Sequence, residues 1–247
     1  MTSAPHASRR IWIIGASAGI GAALARELAG QGAQLILSAR DGDALQALAQ
    51  EIGGALVLPL DLLQRETVEQ AVAQLSEGPK LDAVICTAAL YDPTPVSEMD
   101  LQKAEALVRV NVFGTLLVAR LAPKLLRQGG QLALFGSVAG YFGLPKGQAY
   151  SATKAAIINL AETLRIELAP DVDVRLISPG FVRTRLTDQN DFNMPAMMEP
   201  EDAARAISKG LAGRSFEIHF PKRFTTLLKL LRLLPYGLAF RLTSRLR

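Results

Sequence analysis

Short apolar runs recur along the chain, and most are followed by a stretch in which apolar positions return every three or four residues. The runs are IWIIG (11–15), QLILSA (34–39), ALVLPL (55–60), LDAVIC (81–86), QLALFG (131–136), VDVRLIS (172–178) and SFEIHF (215–220). They scarcely alternate with polar residues, so each predicts a strand buried on both faces. The stretches between them have helical period, as in Ile20, Leu24, Leu28 and Leu45, Leu48, Ile52. Strands alternating with helices in this way predict βαβ units around a parallel sheet. No internal repeat, low-complexity block or linker marks a second domain.

Two helical stripes carry polar residues where apolar ones are expected. Over 107–125 the stripe is Leu107, Asn111, Gly114, Val118, Leu121, Leu125, with Pro123 predicted to kink its end. Over 150–168 it is Tyr150, Lys154, Ile157, Ala161, Leu164, Leu168. Tyr150 and Lys154 thus extend a buried face, and a lysine there needs a partner, because an unpaired buried charge is costly.

Composition narrows the class. The 247 residues are 49% hydrophobic and 20% charged, enough for one large core. The single cysteine, Cys86, excludes an internal disulfide and fits a reducing, cytoplasmic setting. His6 and His219, the only histidines, stand far apart without partner cysteines, so no metal site is expected. The opening MTSAPHASRR has no apolar stretch and reads as a loose tail over 1–8. Of the net charge of +4, seven positive charges follow Glu217 with no acid among them, which leaves −3 on residues 1–217. A mildly acidic body argues against nucleic acid as a partner.

Against this background the stretch IIGASAGIG becomes informative, because it follows the first strand and opens the first helix. Gly15 suits the strand-to-helix turn. Gly19 and Gly21 remove side chains where backbone must approach a phosphate, and the helix N-terminus offers unpaired N–H groups to a pyrophosphate. Ser17 adds a donor. The spacing G-x-x-x-G-x-G differs from G-x-G-x-x-G, yet its place between strand and helix is that of a dinucleotide loop. The second strand ends Ser38-Ala39-Arg40, with no acid for a ribose 2′-hydroxyl; Arg40 suits a 2′-phosphate, so NADP(H) is favoured over NAD(H). Asp41 and Asp43 read as the start of the next helix.

Tyr150-x-x-x-Lys154 on its own is a weak signal in a chain with four tyrosines and eight lysines. It gains weight from its company. GASAGIG after the first strand, Asp61-Leu62 after the third, Asn111, Ser137 after the fifth, Tyr150-x-x-x-Lys154, and PGFVRT (179–184) after the sixth resemble, in order, the short-chain dehydrogenase/reductase family. The resemblance covers roughly residues 9–220. It implies a Rossmann-type doubly wound parallel sheet of about seven strands with helices on both faces. It also implies a nicotinamide cofactor and hydride transfer at a carbonyl or alcohol.

By the same resemblance Tyr150 is the acid/base. Ser137 polarises the substrate oxygen, Lys154 holds the nicotinamide ribose, and Asn111 carries a proton relay from Lys154 through water. Asp61 and Leu62 lie near the adenine, and Thr184 meets the carboxamide. Ile20, Ala88, Pro179, Gly180 and Val182 complete the implied cofactor contacts, and a homodimer or homotetramer is expected. A phenol of ordinary pKa near 10 needs a cation close by to act as a base, and Lys154 lies one helical turn away. Two positions depart from the family pattern: Cys86-Thr87-Ala88-Ala89 replaces Asn-Asn-Ala-Gly, and Ala18 stands where some NADP-dependent members carry a basic residue.

Beyond the motifs, RLTDQNDFNMPAMMEP (185–200) has no period and reads as a lid, with Phe192, Met194, Met197 and Met198 as an apolar lining for a hydrophobic carbonyl substrate, or with the methionines packing the lid onto the body. The body is thus one dinucleotide-binding catalytic domain over 9–220. The segment 221–247 is a basic amphipathic helical extension, too interrupted by Lys229, Arg232 and Pro235 to span a bilayer. A peripheral anchor on the inner face of a membrane is one reading of it; a dimer interface or a cover over the cleft is the other. A catalytically idle dinucleotide-binding sensor, or a membrane-associated scaffold, is the alternative to an enzyme, though all four residues of the implied tetrad are present.

Overall fold

A computed structural model describes residues 9–143, 145–192 and 194–244. Its strands are β1 (Arg10–Ile14), β2 (Gln34–Ser38), β3 (Leu56–Val57), β4 (Leu81–Cys86), β5 (Leu126–Phe135), β6 (Val172–Pro179) and β7 (Glu217–Phe220). They form one sheet in the order β3-β2-β1-β4-β5-β6-β7, with every pairing parallel. Chain order reverses between β1 and β4, and ligands of such sheets bind outside the strand ends at that switch.

The helices are α1 (Gly19–Gly30), α2 (Gly42–Glu51), α3 (Arg65–Ser76), α4 (Leu101–Val108), α5 (Thr115–Leu121), α6 (Gln148–Glu167), α7 (Pro200–Ala212), α8 (Lys222–Leu233) and α9 (Tyr236–Thr243). Successive strand residues point to opposite faces, so the sheet needs a core on each side. Trp12 and Ile14 of β1 join one core with Val68, Val118 and Ile157 from α3, α5 and α6. Ile11 and Ile13 join the other with Leu24, Leu45 and Ile207 from α1, α2 and α7. This is why β1 reads as an unbroken apolar run: all four of these residues are at most 1% exposed.

The structure redraws some expected elements. Only Leu56–Val57 of ALVLPL pairs in the sheet, while β5 begins five residues before QLALFG. The helix expected over 107–125 is α4, a π-helical segment Arg109–Gly114, α5 and a 3-10 turn Ala122–Leu125 that includes Pro123. The π segment contains Asn111, the polar residue in the apolar stripe. Single π turns inside helices frequently mark functional positions. Although the run Leu101–Leu125 is apolar and long enough to cross a membrane, it belongs to this layer, with Leu107, Val118 and Leu125 buried. Asp41 caps α2 by accepting from the Ala44 N–H at 3.0 Å, as its position at a helix start suggests.

Candidate active site

A cleft of about 1750 Å³ runs along the strand ends. Arg40 and Asp41 after β2, the glycine loop after β1, Ala88 after β4, Ser137 after β5 and the Pro179–Thr184 loop after β6 all line it. From β2 to β6 is four strand spacings, roughly 19 Å, which suits a long ligand laid across the sheet. Ser17, Ile20, Asp61, Leu62, Tyr150, Lys154 and Val182 line the same cleft. Every residue expected to touch a dinucleotide is thereby brought to one surface, although Arg40 is exposed at its edge.

At the β1 end the wall is backbone. A Cβ on Gly21 would lie 2.1 Å from the Gly15 carbonyl oxygen, so only glycine permits the first turn of α1 to press against the loop. No side chain caps α1 at Ala18, in contrast to α2, so its first N–H groups face the cleft without a protein acceptor from that residue. The departure at Thr87 acquires a structural role: its hydroxyl contacts the Ile14 and Gly15 carbonyls, both at 3.0 Å, and ties the end of β4 to the loop. Asp61 holds its own turn, accepting from the Leu63 N–H at 2.9 Å. These features (a loop without side chains and an uncapped helix start) fit the pyrophosphate of a dinucleotide.

At the β5 end the site is a set of side chains fixed by α6. Ser137 accepts from the Ala139 N–H at 3.1 Å and opens the turn Val138–Gly140. Gly140 lets that turn rest on α6, since a Cβ there would sit 2.7 Å from the Lys154 carbonyl carbon. The interval of thirteen residues between Ser137 and Tyr150 is therefore closed by direct packing of turn on helix. The Ser137 hydroxyl lies near enough to the Tyr150 phenol to favour its ionised form.

The electrostatics differ from expectation. Burial pushes the Tyr150 phenol up to about 12; the Ser137 hydroxyl opposes the rise and Tyr91 adds to it. Burial likewise lowers the Lys154 ammonium to about 8. Lys154 was expected to lower the phenol directly. Instead its Nζ lies over the Tyr150 ring, 5.6 Å from the centroid, and donates to the Phe135 carbonyl at 2.8 Å. The buried lysine thus finds its partner in the backbone of β5. Close by, burial raises the Cys86 thiol to about 11, against the pull of Lys154.

Asn111 stands behind the cleft wall. Its Nδ2 donates to the Leu90 carbonyl at 3.0 Å and to Thr153 Oγ1 at 3.1 Å, and its Oδ1 accepts from the Leu90 N–H at 2.7 Å. The Thr115 hydroxyl donates to its backbone carbonyl at 2.8 Å. Asn111 therefore ties the loop after β4 to Thr153 of α6, three residues beyond Tyr150.

Sequence reasoning missed several neighbours. The Tyr91 ring meets Tyr150 edge-on at 4.7 Å, and its hydroxyl donates to Asn190 Oδ1 at 2.5 Å. Lys146 pairs with Asp191 at 2.5 Å, so segment 185–200 is held over the cleft by two polar ties. The apolar lining expected from that segment is corrected: Phe192 lines the cleft, but Met194, Met197 and Met198 do not. Met198 instead bridges to Val182 and packs on the core. Further apolar lining comes from Phe181, with Phe224, Leu227 and Leu228 from α8. Phe181 contacts Phe192 at 5.9 Å and Phe224 at 5.6 Å. No spacing in the sequence links these positions, because three separate segments supply them.

Comparison with known proteins agrees with this geometry. A family model described as short chain dehydrogenase matches residues 9–194. An uncharacterized oxidoreductase of Myxococcus xanthus is 34% identical over 97% of this chain and 98% of its own length. One of Staphylococcus saprophyticus is 34% identical over 78% of this chain and 87% of its own. Among solved structures, a short chain dehydrogenase from Burkholderia cenocepacia in complex with NADP is 27% identical, with a TM-score of 0.84, covering 96% of this chain and 98% of that one. A short-chain dehydrogenase from Sphingobium yanoikuyae in complex with NADPH is 28% identical, with a TM-score of 0.78, covering 89% of this chain and 92% of that one.

Proposed function

The chain belongs to the short-chain dehydrogenase family, and from that premise we propose that it moves a hydride between NADP(H) and a carbonyl or secondary alcohol of a hydrophobic substrate. The observation that carries this reading is the convergence of the Tyr150 phenol, its neighbour Ser137 and the Lys154 ammonium at one end of a cleft whose other end is the glycine loop. A bound nicotinamide dinucleotide supplies or accepts the hydride. The chain's own residues then manage one proton and one oxygen. Ser137 donates a hydrogen bond to the substrate oxygen, and Tyr150 gives that oxygen its proton in reduction or takes it in oxidation. A phenol raised by burial is protonated at neutral pH, so it enters the reduction direction already carrying the proton it gives. Lys154, its ammonium over the Tyr150 ring and held by the Phe135 carbonyl, orients the ribose, while Asn111 acts as a positioning residue through Leu90 and Thr153.

Preference for NADP(H) is supported by Arg40, exposed beside the cleft after β2, and by the commitment of Asp41 to the α2 cap. The B. cenocepacia and S. yanoikuyae structures hold NADP and NADPH. A hydrophobic substrate is supported by the wall of Phe181, Phe192, Phe224 and Leu228. A homo-oligomer is supported by the exposed apolar residues Leu101, Phe113 and Leu116 on the α4–α5 layer.

The test is NADPH oxidation, followed by nicotinamide absorbance, over a chain-length series of aldehydes and ketones, beside NADH and a Tyr150→Phe variant. Turnover should prefer NADPH, rise with chain length, and fall about a thousandfold in the variant with NADPH binding retained. NADPH binding without turnover of any carbonyl, unchanged by the substitution, would overturn the reading in favour of a sensor.

A further inference from the structure

The last two helices leave an apolar surface facing solvent. Leu230, Leu233, Tyr236, Leu238, Phe240 and Leu242 are each at least half exposed. Large exposed apolar patches on a folded chain mark a contact surface. The surface is held outward by polar anchors on the opposite side of α8. Lys229 Nζ donates to Glu217, which also accepts from the Tyr141 hydroxyl, and the ammonium lies 5.5 Å from the Tyr141 ring centroid. Buried Thr225 meets His219 Nδ1 at 2.6 Å. On α9, Ala239 and Thr243 are buried and the Phe240 ring meets Phe142, their ring centroids 5.9 Å apart, while Tyr236, Leu238 and Leu242 remain at least half exposed.

Charge selects the occupant. Lys222, Arg223, Arg232 and Arg241 are exposed around this surface, and no acidic residue follows Glu217 in the chain. A symmetric pairing of two such surfaces would bring like charges together. An anionic lipid surface satisfies both features, because the leucines enter the acyl boundary while the cations meet the headgroups. Leu227 joins the two worlds: it is 64% exposed on α8 and also lines the cleft.

We infer that α8 and α9 dock the protein on an anionic membrane surface, and that the substrate mouth beside Leu227 opens there to take an apolar carbonyl compound from the bilayer. The docking stands on the surface alone; the delivery rests on the proposed hydride transfer.

The experiment is flotation of the full chain with vesicles of phosphatidylcholine, with and without phosphatidylglycerol. It is run beside a Leu230→Ser, Leu233→Ser, Tyr236→Ser variant whose three sites lie outside the cleft lining. The chain should float only with the anionic vesicles and detach at high salt. The variant should lose about tenfold or more in vesicle affinity while keeping its thermal transition and its turnover of a water-soluble carbonyl. Turnover of a long-chain ketone placed in the vesicles should fall about tenfold in the variant, and the two proteins should match once the ketone is in detergent. Equal flotation of both proteins would overturn the docking. So would absence of vesicle binding together with a dimer, seen by sedimentation, that dissociates in the variant. Salt-sensitive flotation with no turnover of any carbonyl would leave the docking standing and sink the oxidoreductase reading and the delivery instead.

Discussion

Around the ends of β1 and β4 the wall of the cleft is mainly backbone, held by Thr87 and by glycines with no room for a Cβ. Around α8 and the 181–192 segment the wall is aromatic and leucine side chains, with the segment tied down by Tyr91–Asn190 and Lys146–Asp191. The first wall tolerates almost no change, because its shape is set by atoms every residue shares. The second can be altered one side chain at a time. On the proposed function the first wall would recognise the cofactor and the second would select the substrate, and the following substitutions probe that contrast from the largest expected effect to the smallest.

Gly21→Ala should do the most damage. A Cβ placed 2.1 Å from a carbonyl oxygen forces the loop and α1 apart. Loss of about a hundredfold or more in NADPH affinity, near 3 kcal/mol, is expected by calorimetric titration, with a comparable fall in stability. Normal NADPH binding by this variant would show that the glycine wall is not rigid, and the comparison would fail.

Lys154→Met should separate function from stability. Folding lowers this ammonium from an ordinary 10.5 to about 8, a cost of about 3 kcal/mol at neutral pH, partly offset by the bond to Phe135. The variant should be inactive yet more stable than the parent by about 2 kcal/mol at pH 7 in denaturant unfolding. Between about pH 8 and 10.5 the unfolded parent holds more protons than the folded one, so its stability rises with pH and the advantage of the variant fades. A variant less stable at pH 7, or an advantage independent of pH, would contradict the cost assigned to this buried charge.

Arg40→Ala should raise the KM for NADPH about tenfold and leave that for NADH within about twofold, read from initial rates. Equal effects on both cofactors would make Arg40 a general contact and remove it from the specificity argument.

The smallest effect is expected far from the nucleotide, at Lys229→Met. The half-buried Glu217 carboxylate, which Lys229 and Tyr141 hold below the ordinary range, would lose its cation. A loss of about 1 kcal/mol in denaturant unfolding is expected, with NADPH affinity unchanged, because Lys229 is partly exposed and its attraction is screened. A change in NADPH affinity would mean the two halves are energetically coupled, and would sharpen the comparison into a mechanism.

The sequence was most legible where a single backbone or a single helix performs the task. The strand runs predicted all seven strands because a parallel sheet buried on both faces leaves no alternation, though the ends of β3 and β5 moved: ladder pairing, not hydropathy, sets where a strand stops. The glycine loop, Arg40 and the Tyr150–Lys154 pair were legible as residues of one cleft, because each is placed by its neighbours in the chain. The π segment at Asn111 was visible only as one polar residue in an apolar stripe.

What the chain determined by itself was therefore local: the order of strands and helices, the glycine loop, one tyrosine and one lysine a helical turn apart, and a basic leucine-rich tail. What only the tertiary structure decided was which distant residues meet. It set Tyr91 against Tyr150 and gave Lys154 to the Phe135 carbonyl. It joined Asn111 to Thr153, lined the cleft with Phe224 and Leu228, and turned the tail's apolar face outward through Lys229 and Thr225. Periodicity reports which side of an element is buried, but the identity of the partner depends on packing between segments far apart in sequence, and no local pattern encodes that.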